Sequence, residues 1–182
     1  MPARLFSGCP IPEGPAIELH AWASQAFGAM NVRLVPVENY HVTLMFYGLL
    51  GPKCQQALER LTEEFAWESV EVMVHRVGLY GRSAIGVGLN AAPGAGWELE
   101  RRLDPVASLR HRAKLENRRR LDLHVTVARA KERISIPADL KPPSLTFDLA
   151  RLVLYESILS SGPARYRPLA QSRRLGTDKL GP

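Results

Sequence analysis

The tripeptide His-Val-Thr occurs twice, as His41-Val42-Thr43 inside "ENYHVTLMFYG" and as His124-Val125-Thr126 inside "LDLHVTVAR". The two histidines are 83 residues apart in a chain of 182. Both copies sit in apolar runs with strand character. Side chains alternate across a strand, so residues two apart share a face. His41 and Thr43 therefore point one way, and Val42 and Leu44 point the other. In the second copy His124 and Thr126 share a face, opposite Leu123, Val125 and Val127. Each strand combines an apolar anchor with a polar, chemically capable face.

Imidazole is the side chain best matched to proton transfer near neutral pH. One histidine serves as base or acid at a given moment; two on opposite sides of a phosphorus serve as both. One takes a proton from an attacking water or hydroxyl while the other protonates the leaving oxygen. A threonine hydroxyl beside each can donate to a non-bridging phosphate oxygen and hold the group in line. This division of labour needs no metal. Two other readings stand beside it. The histidines could ligate a metal, although no HExxH, CxxC or repeated carboxylate accompanies them. Each could also be a hydrogen-bonded strand residue with no chemistry. No GxSxG elbow supports a nucleophilic serine.

The elements that would position these residues follow from pattern. "LFSGCPIPEG" reads as a short apolar piece and a loop, and a mostly apolar helix follows from about Pro15 to Phe27, with His20 on its surface. A short strand breaks at Pro36. A strand from Tyr40 to Tyr47 then ends at Gly48 and Gly51-Pro52. Cys54, Leu58, Leu61 and Phe65 have helical spacing. "VEVMVHRVGLYG" and "SAIGVGLNA" read as two strands turning near Gly81-Arg82, with His75 facing outward. Residues 94–120 read as one or two helices, with Pro105 a start or kink. After the second motif strand come a proline-rich loop, one long strand through "LTFDLARLVLYESIL", and a last strand in "ARYRPLAQSRRL". An HVT strand in each half suggests two similar lobes, each a helix-covered sheet: an α+β fold in one domain, residues 1–182.

Strict alternation in the first motif strand puts Tyr47 on the face of His41 and Phe46 on the core face. An aromatic near the site could stack a base; the plainer expectation is that both belong to the core.

Hydrophobic residues make up 46% and charged residues 23%, ordinary for a globular chain. The net charge of +6 and a sequence pI of about 9.7 favour anionic partners, nucleic acid first. "RHRAKLENRRR", residues 110–120, sets six cations against Glu116 just before the second motif; it could track an RNA backbone or form a solvated helix end. Cys9 and Cys54 form no CxxC pair and read as reduced thiols, with a single disulfide as the alternative. No apolar run approaches a membrane span and the N-terminus lacks a secretory core, so the expected location is the cytoplasm.

"VPVENYHVTLMFYG" and "LDLHVTVARAK" resemble the two signature segments of the two-histidine phosphoesterases, specifically the RNA 2′,3′-cyclic phosphodiesterase (2′-5′ RNA ligase-like) group. The opening "ARLFSGCPIPE" and the late "LYESILSSGPARYRPLA" extend the resemblance over nearly the whole chain. It implies a bilobal α+β fold with two similar helix-covered antiparallel sheets flanking a central cleft. It implies hydrolysis of RNA 2′,3′-cyclic phosphate ends, such as those of tRNA fragments, to 2′-phosphates without a cofactor, and a reversible 2′-5′ ligation as a second activity. By motif, His41 is the general acid on the departing 3′ oxygen and His124 the general base on water. Thr43, Thr126 and Arg129 are implied to grip the phosphate. The chain is expected to act as a monomer. Two departures stand out: Tyr47 replaces a leucine of the first motif, and the proline that often precedes the second histidine is Leu123 here. Alternative functions are a related enzyme on a small cyclic-phosphate nucleotide and a non-catalytic RNA-binding module.

Overall fold

The computed structural model describes residues 1–91, 122–132, 134–159 and 162–174. The expected helices in 94–120, and the basic run 110–120 within them, lie outside the described residues. Along the chain come β1 (Ala3–Pro10), α1 (Glu13–Phe27), β2 (Val32–Leu34), β3 (His41–Leu50), α2 (Pro52–Glu64), β4 (Ala66–Trp67) and β5 (Val70–Tyr80). There follow β6 (Ala84–Ala91), β7 (His124–Ala130), β8 (Thr146–Leu149), β9 (Val153–Ile158), β10 (Arg165–Gln171) and β11 (Arg173–Arg174).

One antiparallel sheet dominates, in the order β10-β9-β1-β3-β7-β6-β5-β8, with β2 also paired to β7. Its two halves, β10-β9-β1-β3 and β7-β6-β5-β8, meet where β3 and β7 pair at one position, Val42 opposite Val125. Each half has its own helix: α2 packs on β9, β10 and β1, and α1 on β7 and β2. The bilobal expectation thus takes the form of a sheet with a narrow waist, and both motif strands lie at that waist.

The local sequence accounts for the helices. Pro52 occupies the first turn of α2, where its missing N–H costs nothing. In α1 the buried residues are Ala16, Leu19, Ala23 and Phe27, one stripe at spacings of three and four. Ile17 lies outside that stripe and is exposed, so α1 is one-sided where the sequence suggested an apolar cylinder. Val42, Val125 and Val127 are wholly buried. Each contributes roughly 2 kcal/mol by leaving water, which anchors the motif strands.

Two segments differ from expectation. Ala3–Pro10 is an inner strand between β3 and β9. Leu5 through Cys9 are all buried, so no polar alternation betrays the strand. The long strand expected over 145–159 is two strands in opposite halves: β8 pairs with β5, and β9 with β1 and β10. The chain crosses between them at Leu152, which is fully buried. Leu152 N–H donates to Ser172 Oγ at 3.0 Å and Ser172 N–H to the Leu152 carbonyl at 2.8 Å, pinning the crossing.

Candidate active site

The pairing of Val42 with Val125 fixes the register of the two motifs. Carried one residue to either side in an antiparallel pair, it sets His41 opposite Thr126 and Thr43 opposite His124. All four side chains are half-buried, while the valines between them are fully buried. Two residues of each type, from opposite halves of the sheet, thus form a four-cornered polar face.

The histidines are held alike. His41 Nδ1–H donates to the Asn39 carbonyl at 2.7 Å, and His124 Nδ1–H to the Asp122 carbonyl at 2.7 Å. A carbonyl only accepts, so both rings carry their proton on Nδ1 and present Nε2 for chemistry. In His41, Nε2 accepts from the Thr43 hydroxyl at 3.0 Å.

A matching irregularity follows each motif. Gly8 pairs with Thr43 and Ser7 with Met45, which leaves Leu44 as an extra residue in β3. Gly86 pairs with Thr126 and Ile85 with Ala128, which leaves Val127 extra in β7. These are β-bulges one residue past each threonine, and they reverse the alternation beyond. Leu44 and Met45 are consecutively buried, as are Val127 and Ala128. The residue five places after each histidine then returns to the motif face: Phe46 in β3 and Arg129 in β7. This corrects the expectation for the aromatics. Phe46 is exposed, with its ring 5.8 Å from Phe6, and Tyr47 is buried, hydrogen-bonded through its hydroxyl to Ser7 at 2.9 Å.

Glycines on the neighbouring strands make room for the close packing. A Cβ on Gly8 would stand 2.6 Å from the Val42 carbonyl oxygen, and one on Gly86 2.6 Å from that of Val125. The two glycines hold equivalent places, each opposite a motif threonine.

The surroundings differ between halves. His41 sits in an aromatic cage: Phe6 at 4.9 Å, Tyr155 at 6.1 Å and Tyr166 edge-on at 5.0 Å. Tyr166 arrives on β10, just after Ala164, whose carbonyl accepts from Asn39 Nδ2 at 2.9 Å. Burial, followed by the charges of His124 and Arg129, lowers the His41 pKa to about 4 against a raising bond from the Asn39 carbonyl. His41 is therefore neutral in the free protein at neutral pH.

His124 lies flat on Tyr80, ring centroids 3.8 Å apart and planes 9° from parallel. Arg76 covers the Tyr80 ring at 5.6 Å and forms an ion pair with Asp122 at 2.8 Å. Asp122 also supplies the carbonyl that holds His124. Gly88, opposite His124, leaves space for this stack: a Cβ there would meet the Tyr80 hydroxyl at 2.7 Å. The Tyr80 hydroxyl is buried without a hydrogen-bond partner among the described residues. Sequence reasoning missed Tyr80, Arg76 and Asp122. The available signal was the Gly86-Val87-Gly88 step in a strand, which marks close approach of another group. His20 and His75 take no part: His20 bonds the Tyr40 hydroxyl at 3.2 Å and His75 faces solvent.

Known proteins carry the same architecture. The profile of the family described as LigT like Phosphoesterase matches residues 10–87. The Escherichia coli (strain K12) RNA 2′,3′-cyclic phosphodiesterase is 26% identical over 172 residues, covering 92% of this chain and 94% of the relative. In sequence and in fold the chain is thus similar to LigT-like phosphoesterases. A crystal structure of a phosphoesterase superposes with a TM-score of 0.76 at 25% identity, covering 94% of this chain and 97% of the other. E. coli LigT complexed with 3′-AMP gives a TM-score of 0.75 at 25% identity over the same shares. Cys9 is buried and Cys54 exposed, both as free thiols. No helix among the described residues is long and apolar enough to cross a membrane.

Proposed function

We propose that the protein hydrolyses RNA 2′,3′-cyclic phosphate ends to 2′-phosphates by metal-independent acid–base catalysis between His41 and His124. The observation that carries this reading is the Val42–Val125 pairing, which brings two His-Thr faces from opposite halves of the sheet against one another.

The cyclic phosphate lies over the four-cornered face. Thr43 and Thr126 donate to its non-bridging oxygens, and Arg129 supplies positive charge beside it. His124 Nε2 takes a proton from water as the water oxygen bonds to phosphorus. The bond from phosphorus to the 3′ oxygen breaks, and that oxygen takes a proton from His41. The pair thus begins and ends with one Nε2 proton between its two rings. His41 is neutral when the site is empty; the bound phosphate's negative charge raises its proton affinity in the complex and opposes Arg129. Replacing water with a 5′-hydroxyl gives 2′-5′ joining on the same face. Fragments of tRNA fit as substrates, and the reading includes a cytoplasmic, monomeric enzyme.

The similarity to a relative named RNA 2′,3′-cyclic phosphodiesterase supports this substrate class. The test is turnover of a 2′,3′-cyclic nucleotide and of an RNA bearing that end, with and without EDTA. Activity should survive chelation and fall at least about a hundredfold in His41→Ala and in His124→Ala, the loss expected for one acid–base partner. Full turnover in both variants rejects the reading, and strict dependence on an added divalent ion assigns the chemistry to a metal.

A further inference from the structure

Beyond the motif face lies a pair of arginines. Arg33 in β2 is the direct cross-strand partner of Arg129 in β7. Directly opposed residues of an antiparallel pair share a face, and like charges so placed destabilise the pair. Both arginines are exposed, and neither has a hydrogen bond or ion pair among the described residues. They line one shallow pocket with Asn39 and Tyr166. Those two residues belong to the surroundings of His41, which bonds the Asn39 carbonyl and meets the Tyr166 ring. The arginine pair therefore opens beside the reacting position, on the His41 side. Two guanidinium groups facing the same pocket, without a carboxylate between them, form a fork for an anion with several oxygens.

We infer that Arg33 and Arg129 together bind a phosphate on the 5′ oxygen of the terminal nucleoside, whether a backbone phosphodiester of RNA or the 5′-phosphate of a free nucleotide. The inference deepens the proposed function and rests on it. A strand ending in a 2′,3′-cyclic phosphate has every other phosphate on its 5′ side, so a second anion site near the first meets this group. With the bulge at Val127 counted, Arg129 lies two ladder steps beyond Thr126, about 7 Å of strand at ~3.3 Å per step. A guanidinium side chain reaching back and one nucleotide reaching forward span that separation. Arg33 has no part in the proposed proton transfers, so its effect reads out the second phosphate.

Three substrates separate the cases: a nucleoside 2′,3′-cyclic phosphate with a free 5′-hydroxyl, the same nucleoside carrying a 5′-phosphate, and a dinucleotide ending in the cyclic phosphate. The second and third should exceed the first in kcat/KM by about tenfold. Arg33→Gln should erase that advantage while the 5′-hydroxyl substrate keeps its rate within about twofold, and Arg33→Lys should keep part of it. A preference for the dinucleotide alone identifies backbone RNA as the ligand; equal gains identify a 5′-phosphate in either setting. Calorimetric binding of a nucleoside 2′,5′-bisphosphate against a nucleoside 2′-phosphate gives the same comparison without turnover. The inference is overturned if neither the 5′-phosphate nor the dinucleotide linkage adds to rate or binding, or if Arg33→Gln leaves the added contribution intact. Absence of turnover on all three substrates, with the binding preference retained, overturns the hydrolytic reading and leaves the arginine site standing.

Discussion

The two halves of the sheet carry the same device in different surroundings. Each has a histidine held through Nδ1 by the carbonyl two residues before it, a threonine two residues after, a bulge beyond, and a glycine on the adjoining strand. The difference lies around the rings. His41 is enclosed by Phe6, Tyr155 and Tyr166, and burial lowers its pKa to about 4. His124 is stacked on Tyr80 and tied to the Arg76–Asp122 pair. Position five after the histidine is Phe46 in one half and Arg129 in the other. Equal backbones with unequal shells can give two imidazoles different proton affinities, and acid–base catalysis requires that inequality.

The comparison is broken first by mutating both histidines. If the halves act as one unit, His41→Ala with His124→Ala loses little more than either single change, at least about a hundredfold. Losses that multiply to about ten-thousandfold would show two independent contributions, measured by steady-state kinetics on one substrate.

Acid should expose the difference between the rings. A solvated imidazole takes a proton near pH 6.5, and folded His41 takes one near 4. Protons therefore favour the unfolded chain. The contribution of His41 to stability is complete above pH 6.5, declines by about 3 kcal/mol as pH drops toward 4, and is level below that. Urea melts across this range should show the decline, reduced in His41→Asn. An unchanged melt profile in the variant would remove the asymmetry.

The glycines test the equivalence of the backbones. Gly8→Ala and Gly86→Ala each place a Cβ against a strand carbonyl, so both should cost more than about 2 kcal/mol in chemical unfolding. Tolerance at one position and not the other would end the analogy. The smallest effect belongs to the shell of His124. Tyr80→Leu should lower kcat about tenfold with little change in KM, through loss of the ring that fixes the imidazole plane. Tyr80→Phe should keep activity and lose no stability, because the hydroxyl it removes has no partner among the described residues. Equal kinetics for Leu and Phe would make Tyr80 packing alone.

Much of this was legible from residue types. The repeated His-Val-Thr, the strand spacing and the helix at Pro52 follow from alternation and local propensity. The bulges were written more faintly: "VTLM" and "VTVA" both break the alternation at the same offset after the threonine. Strict period-two reasoning therefore put Tyr47, not Phe46, on the motif face. The inner strand Ala3–Pro10 and the break at Leu152 were hidden because burial on both faces leaves apolar runs without a period. The Tyr80 stack and the Arg33–Arg129 pairing depend on which strands become neighbours across the sheet, and a linear pattern does not carry that information.

The central claim is that His41 and His124 address one phosphate. Its most direct test is an NMR titration of both imidazole side chains with a nucleoside 2′-phosphate. One bound ligand should move the Nε2 signals of both rings along a single binding curve. Response of one ring alone, or two curves with separate midpoints, would contradict it.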